Sequence, residues 1–119
     1  MNIALTGISG FVGSHLIKRL YPKYGQEGEH RIRALIRENS VVEHLKLYEN
    51  VDYVIGNLDD KASLEKFVEG ADVVIHLAHY PGPVQTPDEL VRVNTAGSFD
   101  LLEAAKKAKT RQFIFISAC

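Results

Sequence analysis

Thr6-Gly7-Ile8-Ser9-Gly10-Phe11-Val12-Gly13 is the segment of this chain best equipped for chemistry. Its three glycines, three residues apart, let the backbone turn sharply and bring a ligand against bare main chain. The turn feeds into a helical run whose first N–H groups lack partners and whose dipole presents a positive end. That combination holds a pyrophosphate. The plainer alternative is that the glycines only make a tight strand-to-helix turn. Context favours the first reading, because a strand-like run precedes the glycines and a helical one follows, within a βαβ unit of the right size.

Other reactive side chains offer less. His15, His30 and His44 have no ligand-like spacing, so no metal site is expected. His76 lies inside an apolar run and reads as a core histidine with satisfied partners. His79 reads as a partly exposed loop residue, with a substrate or cofactor contact as the alternative. Cys119 has nothing basic beside it and belongs to no thiol motif, so it reads as a bystander.

The elements that must position these residues are legible as alternating runs. Short apolar stretches at Asn2–Thr6, Arg31–Ile36, Val51–Ile55, Asp72–Leu77 and Gln112–Ser117 read as strands, and three of them are apolar nearly throughout, as strands covered on both faces should be. Helical stretches lie between them. The first spans about Phe11–Leu20 and is stopped by Pro22. The second begins at Ser40-Val41-Val42-Glu43, a capping box. The third runs from about Lys61 to Glu69 and ends at Gly70, suited to a left-handed stop. The fourth opens at Thr86-Pro87-Asp88-Glu89 and continues to about Lys107, with Leu90, Val93, Gly97, Leu101, Ala105 and Ala108 on one face. The pattern is one α/β domain over residues 1–119, a doubly wound parallel sheet of Rossmann type. Right-handed crossovers place its five strands in the order 3-2-1-4-5, with helices on both faces.

Composition narrows the function. The 119 residues carry 14 basic and 15 acidic side chains, a formal charge of −1, so there is no basic excess to release counterions from a nucleic acid. No apolar stretch approaches the roughly 20 residues a membrane helix needs. The single cysteine and the lack of a leader-like N-terminus lead to the expectation of a cytoplasmic protein with neither nucleic-acid nor membrane partners.

The glycine spacing resembles that of the extended short-chain dehydrogenase/reductase family, the NAD-dependent epimerase/dehydratase type, and four further segments carry the same resemblance. Gly56-Asn57-Leu58-Asp59-Asp60 looks like the family's Gly-Asp-Leu-x-Asp after the third strand, and Val74-Ile75-His76-Leu77-Ala78-His79 like its Val-x-His-Leu-Ala-Ala. Val93-Asn94-Thr95-Ala96-Gly97 with Asp100-Leu101-Leu102-Glu103-Ala104-Ala105 looks like Asn-x-x-Gly-Thr-x-Asn-Leu-Leu-Glu-Ala, and Phe113-Ile114-Phe115-Ile116-Ser117 like the fifth strand. The resemblance implies that Gly7, Gly10, Phe11, Val12 and Gly13 form the pyrophosphate loop. It implies further that Asn57 and Leu58 line the adenine, that Leu77, Ala78 and His79 pass beneath the pyrophosphate and nicotinamide ribose, and that Asn94 faces the cofactor. Members selective for NAD place an acid at the end of the second strand. Here Arg37 follows that strand, and its planar fork suits a 2′-phosphate, so NADP is preferred over NAD; the alternative is an exposed arginine beside an NAD site.

This sequence departs from the family pattern at Asn57, at His79, which replaces a small residue, at Ala118, and in having no Tyr-x-x-x-Lys pair. Asn57 replaces an aspartate, losing the charge-assisted hydrogen bond. Ala118 falls where the family has its catalytic serine or threonine, so either the parent protein is atypical or the register of the match is off by one residue, and Ser117 is the catalytic candidate in this chain. No tyrosine is followed four residues later by lysine, the pair that moves a proton in this family. The chain is therefore expected to be the N-terminal part of a longer protein, truncated after its fifth strand and inactive alone. Two readings follow. In the first it is the dinucleotide-binding portion of an NAD(P)-dependent epimerase, dehydratase or reductase acting on a hydroxyl- or carbonyl-bearing small molecule such as a nucleotide sugar. In the second it is a non-catalytic dinucleotide-binding module that senses redox state or serves as a scaffold. The resemblance also implies a homodimer paired through the long fourth helix and the helix after it, the second expected beyond Cys119.

Overall fold

The computed structural model describes residues 1–8, 11–22, 31–36, 51–58, 60–77 and 87–116, with the backbone alone for residues 11 and 89–94. The elements are β1 (Asn2–Thr6), α1 (Phe11–Leu20), β2 (Arg31–Ile36), β3 (Val51–Ile55), α2 (Lys61–Val68), β4 (Val73–His76), α3 (Pro87–Lys107) and β5 (Gln112–Phe115). All strand pairs are parallel, in the order β3-β2-β1-β4-β5. This is the expected doubly wound arrangement. The helix expected from Ser40 lies outside the described residues.

Alternation along β1 divides the core in two. Ile3 and Leu5 face α1, where they join Ile8, Ile17, Ile32, Ala34, Val51 and Ile75. Ala4 faces the other way, into a cluster of Leu35, Val74 and side chains of α2 and α3: Leu64, Phe67, Val68, Leu101, Ala104 and Ala105. Full burial of a side chain such as Phe67 or Leu101 contributes about 1.5–3 kcal/mol. Of the stripe expected on α3, Gly97, Leu101 and Ala105 are buried and Ala108 is half-buried; the side chains of Leu90 and Val93 lie outside the described residues.

Helix α2 is held at both ends. Asp60 caps its N-terminus, Oδ1 accepting from the Ala62 and Ser63 N–H groups at 3.1 and 3.4 Å. At the other end Arg33 of β2 donates through Nη1 to the carbonyls of Lys66, Phe67 and Glu69, satisfying acceptors the helix leaves open. Gly70 then takes φ 71°, the left-handed stop expected of it.

Two strands are shorter than their apolar runs. Leu77 leaves β4 because its N–H turns to the Thr6 hydroxyl at 3.0 Å instead of a neighbouring strand. At the opposite end Asp72 Oδ2 accepts from the Asn2 N–H at 2.7 Å, tying the side chain back to β1. Strand β5 ends at Phe115, and the Ile116 N–H still reaches the His76 carbonyl; Ser117 lies outside the described residues.

Candidate functional site

The sheet order reverses beside β1, which has β2 on one side and β4 on the other. In open parallel sheets the crevice at such a switch point, beyond the C-terminal ends of the strands, receives the ligand. The glycine turn leaves β1 at that point. Gly7 takes φ 77°, a conformation strained for any side chain. Gly13, one turn into α1, has no room for a Cβ, which would run into the Gly7 carbonyl oxygen and lie 2.6 Å from its carbon. The helix is therefore clamped against the turn it emerges from, with Ile8 buried beneath it.

Charge suits an anion there. The first turn of α1 carries no acidic residue and its last turn carries Lys18 and Arg19. The N-terminal end of the dipole is left open to a negative ligand while the C-terminal end is balanced by cations. Val12, in that first turn, is 54% exposed, an apolar side chain presented at the open end of the helix.

A buried chain of hydrogen bonds crosses the floor of the crevice. Thr6 Oγ1 receives the Leu77 N–H and lies 2.7 Å from His76 Nδ1, while His76 Nε2 lies 2.8 Å from Ser98 Oγ on α3. Thr6 and His76 are wholly buried, and the His76 ring stands 5.2 and 6.4 Å from those of Phe115 and Phe113. Desolvation by burial lowers the His76 pKa from 6.5 to about 4. The ring is therefore neutral at physiological pH, with one nitrogen donating and the other accepting. The structure contains the satisfied core histidine, with both ring nitrogens in hydrogen bonds. Among the described residues no group of three or more potential metal ligands comes together.

The segment after β3 is built by packing. A Cβ on Gly56 would collide with Ser63, whose hydroxyl donates to the Asp60 and Asn57 carbonyls at 2.8 and 3.3 Å. Leu58 is half-buried against α3, where a Cβ on Gly97 would lie 2.6 Å from the Leu58 Cβ. Asn57 is exposed beyond the end of β3. Thus Gly7, Val12, Gly13, Asn57, Leu58 and Leu77 all stand at the C-terminal side of the sheet, on three different connections. Phe11 opens α1 and Asn94 lies within α3, each described by its backbone alone. Gly10, Arg37, Ala78 and His79 lie outside the described residues, as do Ser117, Ala118 and Cys119. Ser98 was missed by the sequence reading. Its signal is a polar residue on the inward stripe of α3, beside Gly97 and three residues before Leu101.

A doubly wound sheet with a glycine-clamped helix N-terminus at its switch point defines a Rossmann-type dinucleotide-binding domain. The sequence model of the NAD dependent epimerase/dehydratase family matches residues 3–119, and the chain belongs to that family. A ceramide reductase of Caulobacter vibrioides is 35% identical over 116 residues, 98% of this chain and 34% of the relative. A putative dihydroflavonol 4-reductase of Synechocystis is 30% identical over 96% of this chain and 32% of the relative. Among solved structures, a short-chain dehydrogenase/reductase superfamily protein from Agrobacterium tumefaciens with bound NAD superposes with a TM-score of 0.74 at 26% identity, covering 99% of this chain and 33% of its own. The structure of gox2253 superposes with a TM-score of 0.83 at 28% identity, over 99% of this chain and 34% of that one. The chain spans about a third of the length of the relatives it matches. No helix among the described residues is long and apolar enough to cross a membrane.

Proposed function

We propose that this chain is the dinucleotide-binding portion of an NAD(P)-dependent reductase, dehydrogenase, epimerase or dehydratase acting on a small molecule with a hydroxyl- or carbonyl-bearing carbon, such as a nucleotide sugar. The observation that carries this reading is the contact of Gly13 with Gly7, which seats the acid-free N-terminus of α1 at the switch point. The residues present fit a dinucleotide. The main chain of Gly7, Gly10, Phe11, Val12 and Gly13 would hold the pyrophosphate, Asn57 and Leu58 would flank the adenine, and Leu77, Ala78, His79 and Asn94 would lie along the nicotinamide half. When bound, the nicotinamide supplies a hydride acceptor or donor. The part played by this chain is to orient the ligand, over a floor in which Thr6 and His76 are buried and hydrogen-bonded to each other. Arg37 favours NADP through its guanidinium fork. One cysteine among 119 residues supports a reducing, cytosolic location. Pairing of two copies through α3 would cover Phe99 and Leu102, exposed one turn apart.

Calorimetric titration of the chain with NADPH and with NADH at matched salt tests the reading. Binding of either, abolished by Gly10→Val in a chain that stays folded, supports it; unchanged affinity in that variant sinks the site assignment. Arg37→Ala should weaken NADPH far more than NADH, and equal losses would remove the arginine as selector. A second reading, a non-catalytic redox-sensing or scaffold module, rests on Ala118, which offers no hydroxyl where the family's catalytic serine or threonine falls. Binding without turnover in the full-length protein would favour it.

A further inference from the structure

Among the described residues, no backbone hydrogen bond joins Gly7 or Ile8 to Leu77 beyond the strand ends. β1 and β4 are in register as far as Thr6 opposite His76, and the pairing ends there, with Gly7 following Thr6 and Leu77 following His76. What spans the parting is side-chain chemistry. Thr6 Oγ1 receives the Leu77 N–H, meets His76 Nδ1, and the other side of the same ring meets Ser98 Oγ.

We propose that Ser98 is a positioning residue of the dinucleotide site, acting through His76 and Thr6 to set the spacing between Thr6, which leads into the glycine turn, and Leu77, which follows β4. The inference rests on the dinucleotide reading above. The neutral imidazole has one donor and one acceptor, so the directions of its two hydrogen bonds are coupled. If Ser98 accepts from Nε2–H, Nδ1 accepts the Thr6 hydroxyl proton; if Ser98 donates, Nδ1–H donates to Thr6. In both cases Thr6 Oγ1 receives the Leu77 N–H, and through the ring the direction of the Ser98 hydrogen bond fixes that of the Thr6 one. Without Ser98 Oγ, Nε2 is left unpaired in a buried place and the ring loses the partner that holds its tautomer and tilt. Ser98 is a helix side chain whose contact with the site passes through His76.

The test compares the wild-type chain with Ser98→Ala, Ser98→Thr and Thr6→Val, by NADH and NADPH calorimetry well below the melting temperature and by nitrogen shifts of the His76 ring. Wild type and Ser98→Thr should share one tautomer and bind within about twofold of each other. Ser98→Ala and Thr6→Val should mix or invert the tautomer and lose about five- to tenfold in affinity while remaining folded. A purely structural role would lower the melting temperature and leave affinity and tautomer unchanged, overturning the proposal. Failure of the wild type to bind either dinucleotide would overturn the reading it rests on. Wild-type binding with unchanged Ser98→Ala affinity would overturn the proposal alone.

Discussion

The Cβ direction of Gly13 points into the main-chain carbonyl of Gly7, six residues earlier, so the first turn of α1 and the turn leaving β1 share one van der Waals surface. The obstacle is backbone on both sides and cannot swing away as a flexible side chain would. Gly13→Ala should therefore force α1 off the sheet and destabilise the domain by about 3 kcal/mol, the upper end of the usual cost of overpacking. Urea unfolding measures it. A variant as stable as wild type would mean the helix can rise at no cost, and the clamp would lose its role. Gly10→Val is expected to behave oppositely, losing ligand and keeping the fold.

Leu58 and Gly97 make a second pair of this kind, with the leucine filling the notch where α3 lacks a side chain. Gly97→Ala alone should destabilise by roughly 1–2 kcal/mol, because the new methyl meets the Leu58 Cβ. In a Leu58→Gly background that Cβ is gone and the notch is empty. There the same Gly97→Ala change should be neutral or stabilising, since alanine is favoured over glycine in a helix by about 1 kcal/mol. The double-mutant cycle reads the coupling directly, and additive effects would show that the two side chains do not compete for space.

Such pairings explain how far the sequence could be read. The sheet order and the limits of β1, β2 and β3 were legible, because short runs rich in Val, Ile and Leu alternate with helical stretches and turn residues. The glycine turn was legible because its chemistry is local: strand, three glycines, helix. Leu58 was assigned to the adenine side by resemblance, and its packing against Gly97 was not foreseen. Helical periodicity shows which face of α3 is inward without showing which residue on another connection it meets. Ser98 was missed for the same reason. A serine on an apolar stripe becomes informative only when parallel pairing places a buried histidine opposite it. The last residues of β4 were over-extended because Leu77 is apolar in sequence while its N–H is taken by a side chain.

Helix α3 ends in a left-handed residue that is not glycine. Lys109 takes φ 60°, while the Thr110 N–H bonds to the Ala105 carbonyl at 3.0 Å and the Lys109 N–H to that of Lys106 at 3.1 Å. This closure normally uses glycine, because a Cβ in that conformation costs about 1 kcal/mol. Lys109→Gly should stabilise the chain by up to about 1 kcal/mol and raise its melting temperature by a few degrees, as seen in a thermal melt. Destabilisation instead would mean that the lysine side chain contributes more than its backbone strain costs.

His76 gives the domain a defined acid sensitivity. Its folded-state pKa is about 4, against 6.5 for the unfolded chain. Below pH 6.5 the unfolded state takes up a proton that the folded state refuses, so stability rises with pH in this window. The contribution is complete above about pH 6.5 and declines as pH falls toward 4, by roughly 2 kcal/mol between pH 7 and pH 5 and roughly 3 kcal/mol over the whole window. Carboxylates add their own losses at the acid end, so the comparison is with His76→Gln, which keeps a polar side chain and has no proton to gain. Urea unfolding of both proteins between pH 7.5 and pH 5 should show the wild type losing stability faster, with the two curves converging as pH falls. Parallel curves would show that burial leaves the ring's proton affinity as it is in water.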